Sequence, residues 1–358
     1  MHIARKSSRR SFLNLGAGAA AALGLTDILA PRARAASSNR CCVCIYLLGG
    51  NDSNNLLVPL DAAAYNTYAK SRGPLALSRD ALLPIDSGAS AGYGFHPNLS
   101  GLRDLYNQNA LAVLANVGPA TQSVLHNEAA QVRYLPNGYL SIPWADSTAQ
   151  GMSYGVALAA LEADGRRTVT RATAPPHTMG RFPDTLFGRR LEEVANTLRM
   201  TGALRQNAFL VPLDGFDTHA NQLVSQASAF SQLNDGLVAF YSAIRELGMA
   251  ESVTVYTDTE FNRTLVPNAA GGTGHAWGGH QLILGGSTLG GRIYGTFPSL
   301  EAGGPDDAAG NGTWRPTTSD LQYANTLAAW YGNNNLADLP GYAALRNLPR
   351  QRLDFLAH

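Results

Sequence analysis

Three cysteines occur in 358 residues, at Cys41, Cys42 and Cys44 within one short segment, and no fourth thiol lies elsewhere to tie distant parts of the chain together. The disulfide framework that holds small exported domains is thereby excluded, so stability has to come from a packed core. Alternation along a strand sets Cys42 and Cys44 on one face and Cys41 on the other, as small apolar packing residues. A membrane span is missing as well. The Gly/Ala-rich run from Ser11 to Thr26 is 16 residues long, below the roughly 18–20 that cross a bilayer, and no later segment is as apolar. No Gly-x-Gly-x-x-Gly motif follows a strand and no phosphate loop is present, which argues against a nucleotide cofactor.

At the N-terminus, Ser8-Arg9-Arg10-Ser11-Phe12-Leu13, the apolar run and Ala33-Arg34-Ala35 have the form of a twin-arginine export signal with its cleavage site. They predict export to the periplasm or beyond and cleavage near Ala35. The mature chain, residues 36–358, then has no membrane span. Taking six basic side chains and Asp27 from totals of 27 and 26 leaves 21 basic against 25 acidic residues, a net charge of −4. That balance argues against nucleic acid as a partner. The remaining 323 residues suffice for one elaborated domain.

The order of apolar patterns predicts an α/β fold, a mostly parallel central sheet with helices on both faces. Cys41 to Leu47 reads as a first strand, and His96-Pro97 opens a helix through Asn109 that runs straight into a strand over 111–116. Residues 137–185 are rich in Gly, Pro, Ser and Thr and read as an irregular insertion. A helix over 186–204 leads to a strand from Ala208. Leu223, Ala227, Phe230, Leu233, Leu237, Ile244 and Leu247 then recur at helical spacing, with Gly248 as the stop. Strands over 253–257 and 281–284 follow, and a last helix over 318–331 has Ser319 as its cap.

Three strands end in acidic, loop-prone tips: LLGGNDSNN, LDGFDTH and TDTEFNRT. In an open parallel sheet the carboxyl ends of strands line one crevice, so Asp52, Asp217, His219 and Glu260 are expected to converge there as metal ligands. The glycine-rich loop that follows presents His275 and His280 to the same place. Asp, Glu and His with water suit a hard or borderline divalent ion, namely Zn, Mg, Mn or Ca. Several readings stay open. Asp52 also suits a turn, Asp214 in PLDG fits turn chemistry better than a site, and Glu260 with Arg263 could be a salt bridge ordering the loop. Each histidine could be an ordinary buried one, and Trp277 could be core or a stacking platform.

LLGGNDSNNLLVPL, HPNLSGLRDLY, DGFDTHANQ, TEFNRT, GTGHAWGGHQ, GGRIYG and RPTTSDLQYA together resemble the Tat-exported family labelled domain of unknown function 1501, in order along nearly the whole mature chain. That family resembles the alkaline phosphatase and sulfatase superfamily, whose members hold one or two divalent metals beside a hydroxyl nucleophile. The resemblance implies that Asp52 is the first-strand metal aspartate and that Asp217 and His219 form the later Asp-x-His element. It sets His275 where the family has an Asp-His pair, but Gly274 replaces the aspartate. Where the family has Ser-His, this chain has Leu125-His126, and Ser123 is the nearest serine.

The expectation is thus an exported metal-dependent hydrolase acting on phosphate or sulfate esters, with Ser123 and His126 in catalytic roles and Arg263 assisting an oxyanion. The rival is a binding or assembly protein with an unknown protein partner, for which Gly274 and Leu125 are the sequence evidence. A GDSL-type esterase is a weaker match: Gly50-Asn51-Asp52 resembles one of its blocks, but its Gly-Asp-Ser and Asp-x-x-His elements are lacking.

Overall fold

The structure, a computed structural model, describes residues 40–86, 92–118, 133–134, 140–141, 182–201, 207–331, 350 and 352–357. The export signal with its cleavage site, nearly all of the predicted insertion, and Ser123, Leu125 and His126 lie outside the described residues. Seven strands make the main sheet: β1 (Cys41–Leu47), β2 (Leu111–Gly118), β3 (Asn207–Leu213), β4 (Val253–Thr259), β5 (Gly279–Gly285), β6 (Ile293–Tyr294) and β7 (Thr318–Ser319). Their order is β6-β2-β5-β4-β1-β3, with β7 also on β2. All run parallel except β5, which is antiparallel to both neighbours.

The reversed direction of β5 was not legible in its apolar run. It follows from the connection: between Thr259 and Gly279 the chain makes only a short hairpin, Asn262–Arg263 against His275–Ala276, and no crossover helix carries it back along the sheet. β5 therefore starts at the edge where β4 ends. On β1, Leu47 stands level with Leu213 on one side and Thr259 on the other, so three adjacent strands deliver their tips together.

Alternation along the strands fills both faces. Val43, Ile45 and Leu47 of β1, with Val113, Val255 and Leu284, pack under α2 (Ser100–Asn107), α3 (Leu186–Thr201) and α4 (Gln222–Glu246). Cys42 and Cys44, with Leu114, Tyr256 and Ile283, pack under α5 (Asp320–Tyr331) through Tyr323, Leu327 and Trp330. The three thiols are free and buried, and burial raises their pKa, that of Cys42 to about 12. Ser319 caps α5 as expected, its Oγ accepting from the Leu321 amide at 3.2 Å.

The first turns of α4 depart from the predicted stripe. Leu223 is exposed and Ala227 only half-buried, whereas Gln222 and Gln226 are fully inside. The reason lies beneath them: Gln222 Nε2 donates to Asp52 Oδ2 at 2.5 Å and Gln226 Nε2 to the Asp52 carbonyl at 2.6 Å. A buried carboxylate needs donors, and that need outweighs burying a leucine. Lower down, Phe230, Leu233, Leu237 and Ile244 are buried as the spacing predicts.

Helix α1 (Ala62–Arg72) brings the cation that balances this carboxylate. Arg72 sits in its last turn, where a positive charge suits the helix dipole, and its Nη2 meets Asp52 Oδ2 at 2.5 Å with both side chains fully buried. The guanidinium also donates to Asn55 Oδ1 and to the carbonyls of Thr264 and Leu265. Removing one member leaves the other charge buried without its counterion. Arg72→Met should lower unfolding free energy by about 3–5 kcal/mol in urea titrations; a loss under about 1 kcal/mol would show the pair to be dispensable.

Two buried histidines make stability depend on pH. Burial lowers His96 to about 4 and His280 to about 3, from an ordinary 6.5. The unfolded chain takes up these protons below about pH 6.5 and the folded chain does not, so stability is complete above that pH and falls as pH drops towards 3. The urea midpoint should fall between pH 7 and pH 4.5, and fall less in His280→Asn, whose amide oxygen can still accept at the Nδ1 position.

Candidate metal centre

The tip of β1 is a turn that only glycine can make. Gly49 and Gly50 take φ of 105° and 83°. A Cβ on Gly49 would lie 2.4 Å from the Asp217 nitrogen, and one on Gly50 would enter the Phe261 ring at 2.0 Å. Glu260 and Arg263 grip this turn from opposite sides. The Glu260 carboxylate accepts from both glycine amides, at 3.0 and 2.9 Å, while Arg263 donates to both glycine carbonyls, at 2.6 and 2.9 Å. Burial raises the Glu260 pKa, and those amide bonds pull the other way. Glu260, expected to ligate metal, is thus occupied in ordering the turn.

Arg263, expected to assist an oxyanion, has no side-chain exposure. Besides the glycine carbonyls it donates to the carbonyls of Phe216 (3.1 Å) and Thr273 (3.0 Å) and to Asp217 Oδ1 (2.6 Å). It joins three chain segments and faces no open space. Asp52 is likewise taken up: Oδ1 accepts from the Asn54 amide and side chain, and Oδ2 from Arg72 and Gln222. With both oxygens committed, it serves as an internal counterion and not as the ligand that its strand-tip position had led us to expect. Asp214 behaves as a turn residue, accepting from the Gly215 amide at 2.8 Å.

Asp217, His219 and His275 do converge, each offering one ligand atom within 4.8 Å of the others. His219 Nε2 lies 3.1 Å from His275 Nε2 and 3.2 Å from Asp217 Oδ1. Ligands about 2.0–2.1 Å from a tetrahedral zinc stand about 3.3 Å apart, so these separations fit the edges of such a site. His219 Nε2 carries one hydrogen or one lone pair and cannot serve two neighbours fully, whereas a shared cation satisfies all three groups. All three are open to solvent, Asp217 at 66% and His219 at 52% of side-chain area.

The surroundings hold this trio in place. Arg263 fixes Asp217, and the Phe261 ring lies 4.0 Å from that of His275, tilted by 31°. The loop at 268–273 packs directly on the backbone of Thr218 and His219, so close that a Cβ on Gly272 would meet the His219 carbonyl carbon at 2.2 Å. Asn268 Nδ2 donates to the His219 carbonyl at 2.9 Å.

His280, also expected as a ligand, belongs to the interior. It is the second residue of β5, its Nδ1 accepts from the Asn116 amide at 3.0 Å, and its ring lies 4.6 Å from that of Phe297. The reversed strand explains the difference: His275 stays in the hairpin while His280 has already entered the sheet. The sequence reading missed Arg72, Gln222, Phe261 and Thr273 as partners of the site. Only Arg72 carried a signal, one of two basic side chains in the last turn of a helix, with its counterion 20 residues back.

Residues 159–308 match the model of the family described as Protein of unknown function (DUF1501), the family that the motifs resemble. No curated protein matches the chain. Among solved structures, the C-terminal periplasmic domain of EcEptC from Escherichia coli in complex with Zn is 10% identical, with a TM-score of 0.34 and 83% of each chain covered. Ps i-CgsB in complex with k-i-k-neocarrahexaose is 11% identical, with a TM-score of 0.32 and 83% of this chain and 72% of that chain covered. Neither likeness is close enough to bear on function.

The trio predicts a measurable affinity. Calorimetric titration with zinc should give about one site per chain, lost in His219→Ala and in His275→Ala. Equal zinc uptake by the wild type and both variants would show that the trio is not a site.

Proposed function

We propose that this chain is an exported, metal-dependent hydrolase-like protein with an alkaline-phosphatase-like α/β fold. In this reading Asp217, His219 and His275 hold one divalent cation beside which a phosphate or sulfate ester binds. The observation that carries the reading is the convergence of those three side chains at the exposed carboxyl edge of the sheet. Two imidazoles and one carboxylate favour zinc or manganese over magnesium or calcium, and a set of three protein ligands leaves room for a substrate oxygen. Bound there, such a cation supplies Lewis-acid polarisation of the ester.

The charge balance supports an anionic substrate. Asp217 is already matched by Arg263 at 2.6 Å, the imidazoles count as neutral when they ligate, and Asp52 is matched by Arg72. With the Glu260 carboxylate at the adjoining turn counted as one further negative charge, a divalent ion in this setting still leaves a net positive charge, which an ester anion offsets. Asp52, committed to Arg72, is not available for a second ion, so we assign one. The chain leaves β2 at Gly118 on the same edge, and in this reading Ser123 and His126, which follow it, supply the nucleophile and its neighbour. Export rests on the twin arginines, Arg9 and Arg10, and the proposed mature protein is the single domain 36–358. Among the described residues no helix is long and apolar enough to cross a membrane.

A second reading is favoured by the same locked carboxylates. Asp52 and Glu260 are spent on structure, as in a scaffold that binds a metal or a protein partner without turnover. The two readings separate in one experiment. Protein purified without chelator should carry about one metal per chain and hydrolyse aryl phosphate or aryl sulfate esters, with chelation abolishing turnover and zinc or manganese restoring it. Bound metal with no turnover on either ester class would leave the binding reading standing.

A further inference from the structure

We propose that Thr273 is a positioning residue of the Asp217/His219/His275 centre and ties it to the buried Asp52–Arg72 pair through Gln222. This rests on the reading of the trio as a metal site. Thr273 is completely buried, and each of its polar groups goes to a different partner. Its amide donates to the Thr218 carbonyl at 3.1 Å, the residue between Asp217 and His219. Its carbonyl accepts from Arg263 Nη1 at 3.0 Å, the guanidinium that holds Asp217 Oδ1 at 2.6 Å. Its hydroxyl donates to Gln222 Oε1 at 2.6 Å, and Gln222 Nε2 donates to Asp52 Oδ2 at 2.5 Å.

The donors along this chain run one way only. A carboxylate accepts, so Gln222 must turn its amide nitrogen to Asp52 and its oxygen to Thr273, and the threonine hydroxyl must then donate. The charge of Asp52 therefore sets the orientation of Gln222, and Gln222 sets the position of Thr273. Two residues further on stands His275, and through Arg263 and Thr218 the same threonine bears on Asp217 and His219. All three proposed ligands are thus referred to one interior residue that touches no metal, two of them through its backbone, and its hydroxyl fixes that residue on Gln222. Partners of this kind govern affinity by holding ligands in register.

Valine matches threonine in shape and lacks the hydroxyl, whereas serine keeps it. With the full chain, zinc titration by calorimetry and the visible absorption of the cobalt-substituted protein should separate the two. Thr273→Val should bind zinc about 10- to 100-fold more weakly with a shifted cobalt spectrum, and Thr273→Ser should stay within about threefold with the wild-type spectrum. Gln222→Met cuts the same link from the other side and should behave as the valine variant does; it carries the test if a thermal melt shows Thr273→Val unfolded. Wild-type affinity and spectrum in the valine variant or in Gln222→Met, or equal loss in the serine and valine variants, would overturn the proposal. A wild-type chain that binds no zinc would instead overturn the metal reading on which it rests.

Discussion

A guanidinium with no access to water has to find its acceptors inside the protein, and the organisation of this sheet edge follows from that requirement at Arg263. Its acceptors come from three stretches far apart in sequence: the Gly49-Gly50 turn, Phe216 and Asp217, and Thr273. Four are peptide carbonyls, and only Asp217 brings a full negative charge. That one carboxylate is itself largely in solvent. The interior charge is therefore balanced by a group at the surface, and the group at the surface is held still by the interior charge. A side chain held in this way has little freedom left to lose, although it stands in solvent.

A second buried arginine repeats the arrangement one layer deeper. Arg72 collects two carbonyls, an amide oxygen and Asp52, all out of water. Two carboxylates at neighbouring strand tips thus have opposite fates. Asp52 turns inward and meets four donors, whereas Asp217 turns outward and meets one arginine and one histidine. Residue type and strand-end position are the same in both cases. What differs is the number of donors within reach: Asn54 supplies two from the turn beside Asp52, and Arg72 of α1 and Gln222 of α4 supply the other two.

This difference marks how far the sequence could be read. Strand tips bearing Asp and His were legible because a strand shows as a short apolar run and its end as a cluster of turn residues; Asp217 and His219 come from that pattern, and His275 from the glycine-rich loop that follows. The long helix α4 was legible from Phe230 to Ile244, where its neighbours are apolar. Its first turns were not, because Gln222 and Gln226 face a carboxylate that periodicity cannot see. The polarity of β5 escaped for a related reason: an apolar run has no direction, and only the short hairpin before it decides that His280 enters the core. Glu260 and Arg263 order the loop, but not as the salt bridge to each other that the sequence suggests: both hold the backbone of Gly49 and Gly50, and Arg263's ion pair goes to Asp217, which no side-chain pattern reveals.

The three thiols of β1 are shut away between helices on both faces of the sheet. Burial raises the pKa of all three, that of Cys42 to about 12, so at neutral pH they stay almost wholly as thiols. Oxidants and foreign disulfides attack through the thiolate, so a strongly oxidising compartment finds almost nothing here to react with. Burial thus shields the unpaired sulfur of β1 from exchange by geometry, whatever the redox poise of its surroundings.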